Sequence, residues 1–162
     1  MFKLSTRYYA SSKSYEWATP PELFKKLDDE FHFTLDPCAS KENAKCSKFY
    51  TKEDDGLTKD WGGERAFVNP PYGSFVGLWI KKAFEEAQKP NTLVVCLIPA
   101  RTDTRWFQNY CMNSREIRLI KGRIKFLYQG KKINSSTFPS AIVIFGDYYR
   151  GRTRVMVKSY EF

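Results

Sequence analysis

Ala66-Phe67-Val68-Asn69-Pro70-Pro71-Tyr72-Gly73 is a short apolar segment that runs directly into a stiff loop. The three apolar residues predict a buried strand, and the two consecutive prolines fix the backbone and end that strand. Residues 74–88 then carry apolar side chains near helical spacing, which predicts an amphipathic helix. A strand, a rigid loop and a helix in this order are the repeating unit of an α/β fold.

The segments on either side continue this alternation. Thr92–Ile98 is an unbroken apolar run, as expected for a strand buried on both faces. Other strands are predicted at 31–35, 48–50, 117–120 and 139–145, a hairpin at 124–133 around Gln129-Gly130, and an edge strand in 153–160. Other helices are predicted after a cap at Thr19 with Pro20 in the first turn, at 41–46, and after a cap at Thr102.

These elements predict a Rossmann-like, mostly parallel, doubly wound sheet with an antiparallel strand and a hairpin near the C-terminus. The chain of 162 residues has no long linker, so residues 1–162 are expected to form a single domain, with residues 1–15 as a candidate flexible arm. In such sheets ligands bind beyond the carboxyl ends of the strands. Loops 36–40, 69–72 and 99–102 each follow a predicted strand and should share one rim.

The loop at Asn69 suits a particular kind of chemistry. An exocyclic amino group on an aromatic ring is a poor nucleophile because its lone pair is delocalised. The Asn69 side-chain oxygen and the Pro70 carbonyl offer two acceptors for its N–H groups, and Pro71 helps to hold them in place. The ring of Tyr72 offers a surface on which a base can stack. The structural alternative is a rigid turn without function.

The tetrapeptide Asn69-Pro70-Pro71-Tyr72 is similar to motif IV of amino-group methyltransferases. The wider chain resembles the phage-type DNA N-6-adenine methyltransferase (Dam) family. The matching segments occur in that family's order and are residues 16–20, 33–37, 54–57 with 60–61, 69–73, 98–103 and 138–140. The resemblance implies transfer of a methyl group from S-adenosyl-L-methionine to N6 of adenine in DNA.

The resemblance also implies where the methyl donor binds. Asp36 with Pro37 and Cys38 occupies the place of motif I, although the usual glycine-rich loop is replaced by Pro37-Cys38-Ala39-Ser40. Trp17, Thr19 and Pro20 occupy the place of motif X. Either Asp54 or Asp55 is expected to contact the adenosine part. The alternatives are helix capping or completion of a turn for Asp36, helix capping for Thr19, a core position for Trp17 and a solvated turn for Asp54-Asp55.

Charge is concentrated in the last third of the chain. Residues 115–162 carry 11 Lys/Arg against 3 Asp/Glu, within a net charge of +9 for the whole chain. This asymmetry points to a polyanionic partner, and a soluble basic face without a partner explains the charge equally well. The candidate DNA contacts are Arg101, Arg105, Arg123, Lys125, Lys131 and Lys132.

Several classes of protein are excluded or disfavoured. No run of eighteen apolar residues predicts a membrane span, and the polar start lacks a secretory h-region. The protein is therefore expected in the cytoplasm, or in the host cytoplasm if it is phage-encoded. The spacing of Cys38, Cys46, Cys96 and Cys111 fits no zinc site, so four reduced thiols and no metal are expected.

Two alternatives to DNA adenine methylation remain open from the sequence. The same tetrapeptide occurs in methyltransferases that act on glutamine in proteins or on bases in RNA. A non-catalytic basic DNA-binding module would also explain the charge, but it would bind no methyl donor. The sequence leaves open the target site, a preference for single or double strands, and whether the protein is a monomer or a dimer.

Overall fold

The computed structural model describes residues 17–146 and 151–160. The strands in this part of the chain are β1 (Trp17–Ala18), β2 (Leu35–Asp36), β3 (Lys48–Phe49), β4 (Arg65–Val68), β5 (Leu93–Pro99), β6 (Glu116–Ile120), β7 (Leu127–Tyr128), β8 (Lys131–Lys132), β9 (Ser140–Gly146) and β10 (Arg154–Lys158). The α-helices are α1 (Pro21–Phe31), α2 (Val76–Glu86) and α3 (Arg105–Asn109), with 3-10 turns at Gly56–Thr58 and Cys111–Asn113.

Seven of the strands form one sheet in the order β10-β6-β9-β5-β4-β2-β3. β9 runs antiparallel to both of its neighbours, β5 and β6, and the other neighbouring pairs are parallel. The predicted mixed, mostly parallel sheet with an antiparallel strand near the C-terminus is confirmed. β10 lies at one edge, as expected for the last segment of the described chain.

Helices cover both faces of this sheet, and β5 shows how. Val94, Cys96 and Ile98 face the layer of α2, whereas Val95 and Leu97 face the layer of α1. Because successive strand residues point to opposite faces, an unbroken apolar run is the pattern that a strand between two layers needs. The doubly wound architecture predicted from that run is confirmed.

A second, smaller sheet has the order β1-β7-β8. β7 and β8 form the predicted hairpin, in which Gln129 (φ 48°) and Gly130 (φ 75°) take the left-handed conformations of a tight turn. β1 pairs with β7 in antiparallel fashion, so that Trp17 lies opposite Tyr128 and Ala18 opposite Leu127. This sheet brings the hairpin next to the segment that leads into α1.

Two predictions around α1 are wrong. Thr19 does not cap the helix, which begins at Pro21 with Pro20 at the cap position. A residue that precedes a proline is kept out of the helical region, so the helix starts later than the threonine suggests. The strand predicted for 31–35 shortens to Leu35–Asp36, because Phe31 continues the buried helical stripe of Leu23 and Leu27.

Two further predictions fail in loops. Residues 41–46 form turns instead of a helix, since Ser40 and Asn43 exchange side-chain-to-backbone hydrogen bonds of 2.7 and 3.2 Å that close the segment locally. The cap of α3 is Thr104, whose hydroxyl accepts from the Phe107 N–H at 3.3 Å, and not Thr102.

The candidate flexible arm at 1–15 lies outside the described residues. Across residues 17–146 and 151–160, no helix has both the length and the apolar character needed to cross a membrane.

Candidate active site

The carboxyl ends of β2, β4 and β5 lie side by side. β4 is parallel to β2 on one side and to β5 on the other. The loops that begin at Asp36, Asn69 and Pro99 therefore leave the sheet at one rim, as predicted, and the first two face the same cleft.

Asn69 is held through both its side chain and its backbone. Its amide nitrogen Nδ2 donates to the carbonyl oxygen of Trp17 at 3.1 Å, and its own carbonyl accepts from the Cys38 thiol at 3.2 Å. A carbonyl can only accept, so the NH₂ group must face Trp17. The oxygen Oδ1 is therefore left as an acceptor at the cleft, which Asn69 lines.

The rest of the tetrapeptide is anchored by packing. Pro70 and Pro71 are buried, and Pro71 also lines the cleft. The Tyr72 hydroxyl donates to the Leu97 carbonyl at 3.3 Å, and burial raises the pKa of this hydroxyl far above its usual value. The Tyr72 ring is half-buried and meets the ring of Trp17 edge-on at 6.3 Å. The loop is thus fixed at both of its ends.

Asp36 is a buried carboxylate at the end of β2. Its oxygens accept from the backbone N–H of Lys45 at 3.0 Å and, at the limit of hydrogen bonding, from that of Cys38 at 3.4 Å. Burial outweighs these bonds and raises the pKa of Asp36 to about 6. No cationic side chain within the described ranges forms an ion pair with Asp36. The turn-closing role weighed for Asp36 is present, and the carboxylate also faces the cleft.

Thr19 brings a buried hydroxyl group to the same cleft. Its hydroxyl oxygen is buried and has no hydrogen-bond partner among residues 17–146 and 151–160. Thr19 lines the same cleft as Asp36 and Asn69. A buried hydroxyl without a partner costs stability, so its position favours a bound polar group as the partner. Pro20 and Pro37 are not among the residues that line this cleft.

Trp17 packs against the core, as the alternative given for it requires. Its ring packs nearly parallel to those of Phe126 and Phe138, with centroids 6.0 and 6.4 Å away, as a core residue would. It also lines the cleft and supplies the carbonyl that holds Asn69.

Asp54 and Asp55 differ in what their side chains do. The exposed Asp54 carboxylate accepts from the backbone N–H and the hydroxyl of Thr51, at 2.8 and 2.9 Å, and so closes a turn. Asp55 is half-buried at a positive φ of 54°, which is uncommon outside glycine. Neither residue lines the cleft.

The cleft continues into a wider cavity of about 600 Å³ under the hairpin turn. Ala18, Asn43 and Lys45 line both spaces, and Gln129 and Gly130 of the hairpin turn also line the wider one. The sequence arguments missed Ala18, Asn43, Lys45 and Phe67 as lining residues. Ala18 lies within the matched segment 16–20, whereas Asn43, Lys45 and Phe67 belong to no motif. Asn43 and Lys45 lie in the turn after the motif I-like strand, and a search of that turn could have found them.

All six candidate DNA-binding residues are exposed: Arg101, Arg105, Arg123, Lys125, Lys131 and Lys132. Arg101 and Arg105 follow the end of β5, Arg123 and Lys125 precede β7, and Lys131 and Lys132 form β8. Lys132 lies 3.8 Å from the exposed Glu22 carboxylate. The other five have no ion pair with an acidic residue in the described ranges.

The four cysteines are free thiols. Within the part of the chain that is described, no three His, Cys, Asp or Glu side chains come together as a metal site.

Comparison of the chain with known proteins identifies the family to which it is similar. The family model described as DNA N-6-adenine-methyltransferase (Dam) matches residues 8–161. The DNA N-6-adenine-methyltransferase of Haemophilus phage HP1 is 33% identical over 134 residues, covering 80% of this chain and 77% of the phage protein. The protein of the same description from Escherichia phage T1 is 31% identical over 157 residues, covering 85% of this chain and 65% of its own length.

A third relative is the putative methyltransferase YfdM of Escherichia coli K12, which is 42% identical over 65 residues, 35% of this chain and 70% of the relative. The family match favours DNA adenine over the RNA, protein and non-catalytic alternatives. With a methyltransferase-like sheet, an anchored Asn-Pro-Pro-Tyr loop and a match over nearly its whole length, the chain belongs to the DNA N-6-adenine-methyltransferase (Dam) family, whose methyl donor is S-adenosylmethionine.

Proposed function

We propose that the Asn69 loop is the place where this chain transfers a methyl group to adenine N6. The observation that carries the proposal is the orientation of the Asn69 amide. Its NH₂ group is committed to the Trp17 carbonyl, and its Oδ1 therefore accepts one N–H of the target amine. The Pro70 carbonyl accepts the other. Both acceptors are fixed before the substrate arrives, which is the arrangement that favours the transition state over the ground state.

The residues around the cleft fit the donor's polar groups. Asp36 offers a carboxylate without an ion-pair partner in the described chain, matched to an ammonium group. Thr19 offers a buried hydroxyl that has no hydrogen-bond partner among the described residues, matched to a carboxylate. We therefore assign the methionine end of the donor to Asp36 and Thr19, with Trp17 and Cys38 as neighbours. Pro20 and Pro37 shape the backbone beside them.

The donor's adenosine end is assigned to Asp55. Asp54 already accepts two hydrogen bonds from Thr51, whereas the Asp55 side chain is half-buried with no hydrogen bond in the described structure. The unusual backbone of Asp55 is also of the kind found at functional sites.

When bound, S-adenosylmethionine supplies a methyl group on a positively charged sulfur, which a neutral amine can attack directly. The chain's own task is positioning, which is worth about 7–11 kcal/mol of the barrier when reacting atoms are well oriented. Asn69 and Pro70 hold the amine while Tyr72 offers the exposed part of its ring to the base. The bond between the methyl group and sulfur breaks to leave a neutral thioether, and the methylated amine then gives its extra proton to water, so no separate general base is assigned.

A base inside a duplex is out of reach, so the adenine has to be flipped out at a cost of a few kcal/mol. The exposed basic residues from Arg101 to Lys132 are assigned to the DNA phosphates, with the hairpin beside the groove. The enzyme is expected to act in the cytoplasm, including that of a phage host, where its DNA substrate lies.

The experiment is a methylation assay with labelled S-adenosylmethionine, followed by mass spectrometry of the digested DNA. We expect N6-methyladenine in DNA and no label in RNA or protein. Asn69→Ala is expected to abolish transfer while retaining the wild-type circular dichroism spectrum. The exposed Asn134→Ala is the matched control and should keep full activity. Wild-type turnover by Asn69→Ala would overturn the assignment, and label in RNA or protein alone would change the substrate.

A further inference from the structure

Two separate parts of the fold form hydrogen bonds to one residue of the catalytic loop, Asn69. The side chain of Asn69 donates to the Trp17 carbonyl in β1, and the backbone carbonyl of Asn69 accepts from the Cys38 thiol in the donor loop. We propose that Trp17 and Cys38 are positioning residues for methyl transfer, which together set the direction of both amine acceptors. This inference rests on the proposed role of Asn69.

The Trp17 carbonyl is itself held in place by its surroundings. Its strand pairs with β7, where Trp17 lies opposite Tyr128. Its ring packs against Phe126, Phe138 and Tyr72 at centroid distances between 6.0 and 6.4 Å. The carbonyl therefore has little freedom to turn away, and it selects the amide orientation in which Oδ1 points to the substrate.

The Cys38 thiol controls the second acceptor through the backbone. Its hydrogen bond fixes the peptide plane between Asn69 and Pro70. The ring of Pro70 fixes φ, and the following Pro71 restricts ψ of Pro70 to the extended region. With both dihedrals restricted, the direction of the Pro70 carbonyl follows from the direction of the Asn69 carbonyl. One weak hydrogen bond to the Asn69 carbonyl therefore sets the direction of the carbonyl of the next residue.

The chemistry of this thiol suits the role. Burial and the neighbouring Asp36 carboxylate raise the pKa of Cys38 well above that of a free thiol. The thiol therefore stays protonated and remains a donor at the pH of the cell. Because Cys38 follows Asp36 by two residues, the same short segment carries the donor's ammonium partner and the support of the amine acceptors.

Steady-state kinetics with conservative rescue tests the proposal. Trp17→Ala removes the ring contacts that hold the carbonyl, and Trp17→Phe retains a stacked ring. Cys38→Ala removes the thiol that donates a hydrogen bond to Asn69, and Cys38→Ser restores a hydrogen-bond donor. We expect kcat at saturating donor and DNA to fall by about 10-fold or more for Trp17→Ala, since a 1 Å misplacement costs up to about 100-fold. Cys38→Ala should lower kcat a few-fold, and Trp17→Phe and Cys38→Ser should bring kcat back towards the wild-type value.

A double-mutant cycle shows whether the two residues act through the same group. In the combined Trp17→Ala and Cys38→Ala variant, kcat should fall by less than the product of the two single fold-decreases, because both residues act on Asn69. Losses confined to the KM for DNA or to donor affinity, or kcat values unchanged in both alanine variants, would overturn the proposal. An exactly multiplicative loss would overturn the shared route.

A measurement without turnover separates this proposal from the proposed function. In an amide NMR spectrum of the folded protein, the Asn69 side-chain NH₂ should be shifted and slow to exchange. It should move to the position of a solvated amide in Trp17→Ala, and only slightly in Cys38→Ala. If the wild type methylates DNA and this signal is already that of a free amide, the grip on Asn69 is refuted while the function stands. If the signal is protected but no N6-methyladenine forms, the function fails and the grip stands.

Discussion

The backbone of Gly56 lies directly against the carbonyl oxygen of Pro37, so closely that a Cβ atom on Gly56 would sit 1.9 Å from that oxygen. The Trp61 indole nitrogen fixes Gly56 further by donating to its carbonyl at 3.0 Å. The turn that carries Asp54 and Asp55 is thereby locked to the loop that carries Asp36. Two segments assigned to the methyl donor are therefore in direct backbone contact.

Replacement of Gly56 by alanine is expected to push these two segments apart. The added methyl group meets backbone and not a flexible side chain, so the loss should be at the upper end of the usual 1–3 kcal/mol for overpacking. Affinity for S-adenosylmethionine should fall with stability, as measured by calorimetry. Gly122→Ala is the control, since it introduces backbone strain (φ 87°) in open space and should leave donor affinity unchanged. Wild-type donor affinity in Gly56→Ala would contradict the coupling.

The sequence carried enough information for the sheet and for the centre of the site. The run at 92–98 and the alternation of strands with helices follow from burial, which leaves a period in the sequence. The hydrogen bond from Asn69 to Trp17 leaves no such pattern, because its acceptor is a backbone carbonyl, which every residue type has. Thr104 replaces Thr102 as a cap for a similar reason, since either threonine can cap and tertiary packing selects one. Element boundaries near prolines failed because Pro20 and Pro21 shift the first helical turn by a residue.

Donor binding should depend on pH through Asp36. Its pKa is about 6, and the proposed ion pair with the ammonium group of the donor needs the ionised carboxylate. Affinity for S-adenosylmethionine should therefore be constant above about pH 7 and fall roughly 10-fold for each unit below pH 6. Asp36→Asn should bind the donor weakly, with little change between pH 5 and 8. Isothermal titration over this range decides the matter, and a flat profile in the wild type would contradict the assignment.

The same carboxyl group should affect stability with the opposite trend. Its pKa of about 6 in the folded protein lies above the 3.8 of a solvated aspartate, so the neutral form is favoured in the folded state. This contribution is fully present below about pH 3.8 and is lost as pH rises through about 6, to the extent of about 3 kcal/mol. Urea denaturation of both proteins from pH 4.5 to 8 tests this. As pH rises, the unfolding free energy of the wild type should fall relative to that of Asp36→Asn. A constant difference would show that Asp36 ionises normally.

Asp54 and Asp55 should respond differently to substitution. Asp55→Asn keeps a residue that tolerates a positive φ but removes the charge, so it should weaken donor binding several-fold with little loss of stability. Asp54→Ala removes two hydrogen bonds to Thr51 and should lower stability, with a smaller effect on donor affinity. Donor affinity and thermal unfolding measured on both variants test the contrast. The reverse pattern would assign the contact to Asp54.

The hairpin lysines should contribute to DNA affinity through charge alone. Lys131→Ala is expected to weaken binding to different DNA sequences about equally and to reduce the slope of log K against log salt by about one unit. Lys132→Ala should have a smaller effect, since this lysine lies 3.8 Å from Glu22. Lys81→Ala on α2 is the control, because Lys81 lies outside the basic last third and is exposed beside Glu85. Fluorescence anisotropy over a salt series tests this, and an unchanged slope for Lys131→Ala would remove the hairpin from the interface.

Arg118 should be important for stability and unimportant for catalysis. It lies on β6, pairs with both oxygens of Glu30 on α1 at 2.7 and 2.5 Å, and contacts Glu116 at 2.5 Å. Arg118→Ala leaves the buried Glu116 with Arg154 as its remaining partner at 2.7 Å. Breaking a buried pair costs about 3–5 kcal/mol, and Arg154 should reduce this to the lower end. Glu30→Gln is the milder control, because Glu30 is nearly half exposed and loses only one charge at the surface. Urea denaturation should rank Arg118→Ala well below Glu30→Gln, while kcat at low temperature stays near wild type in both. A large loss of kcat in folded Arg118→Ala would mean that this edge of the sheet reaches the reaction.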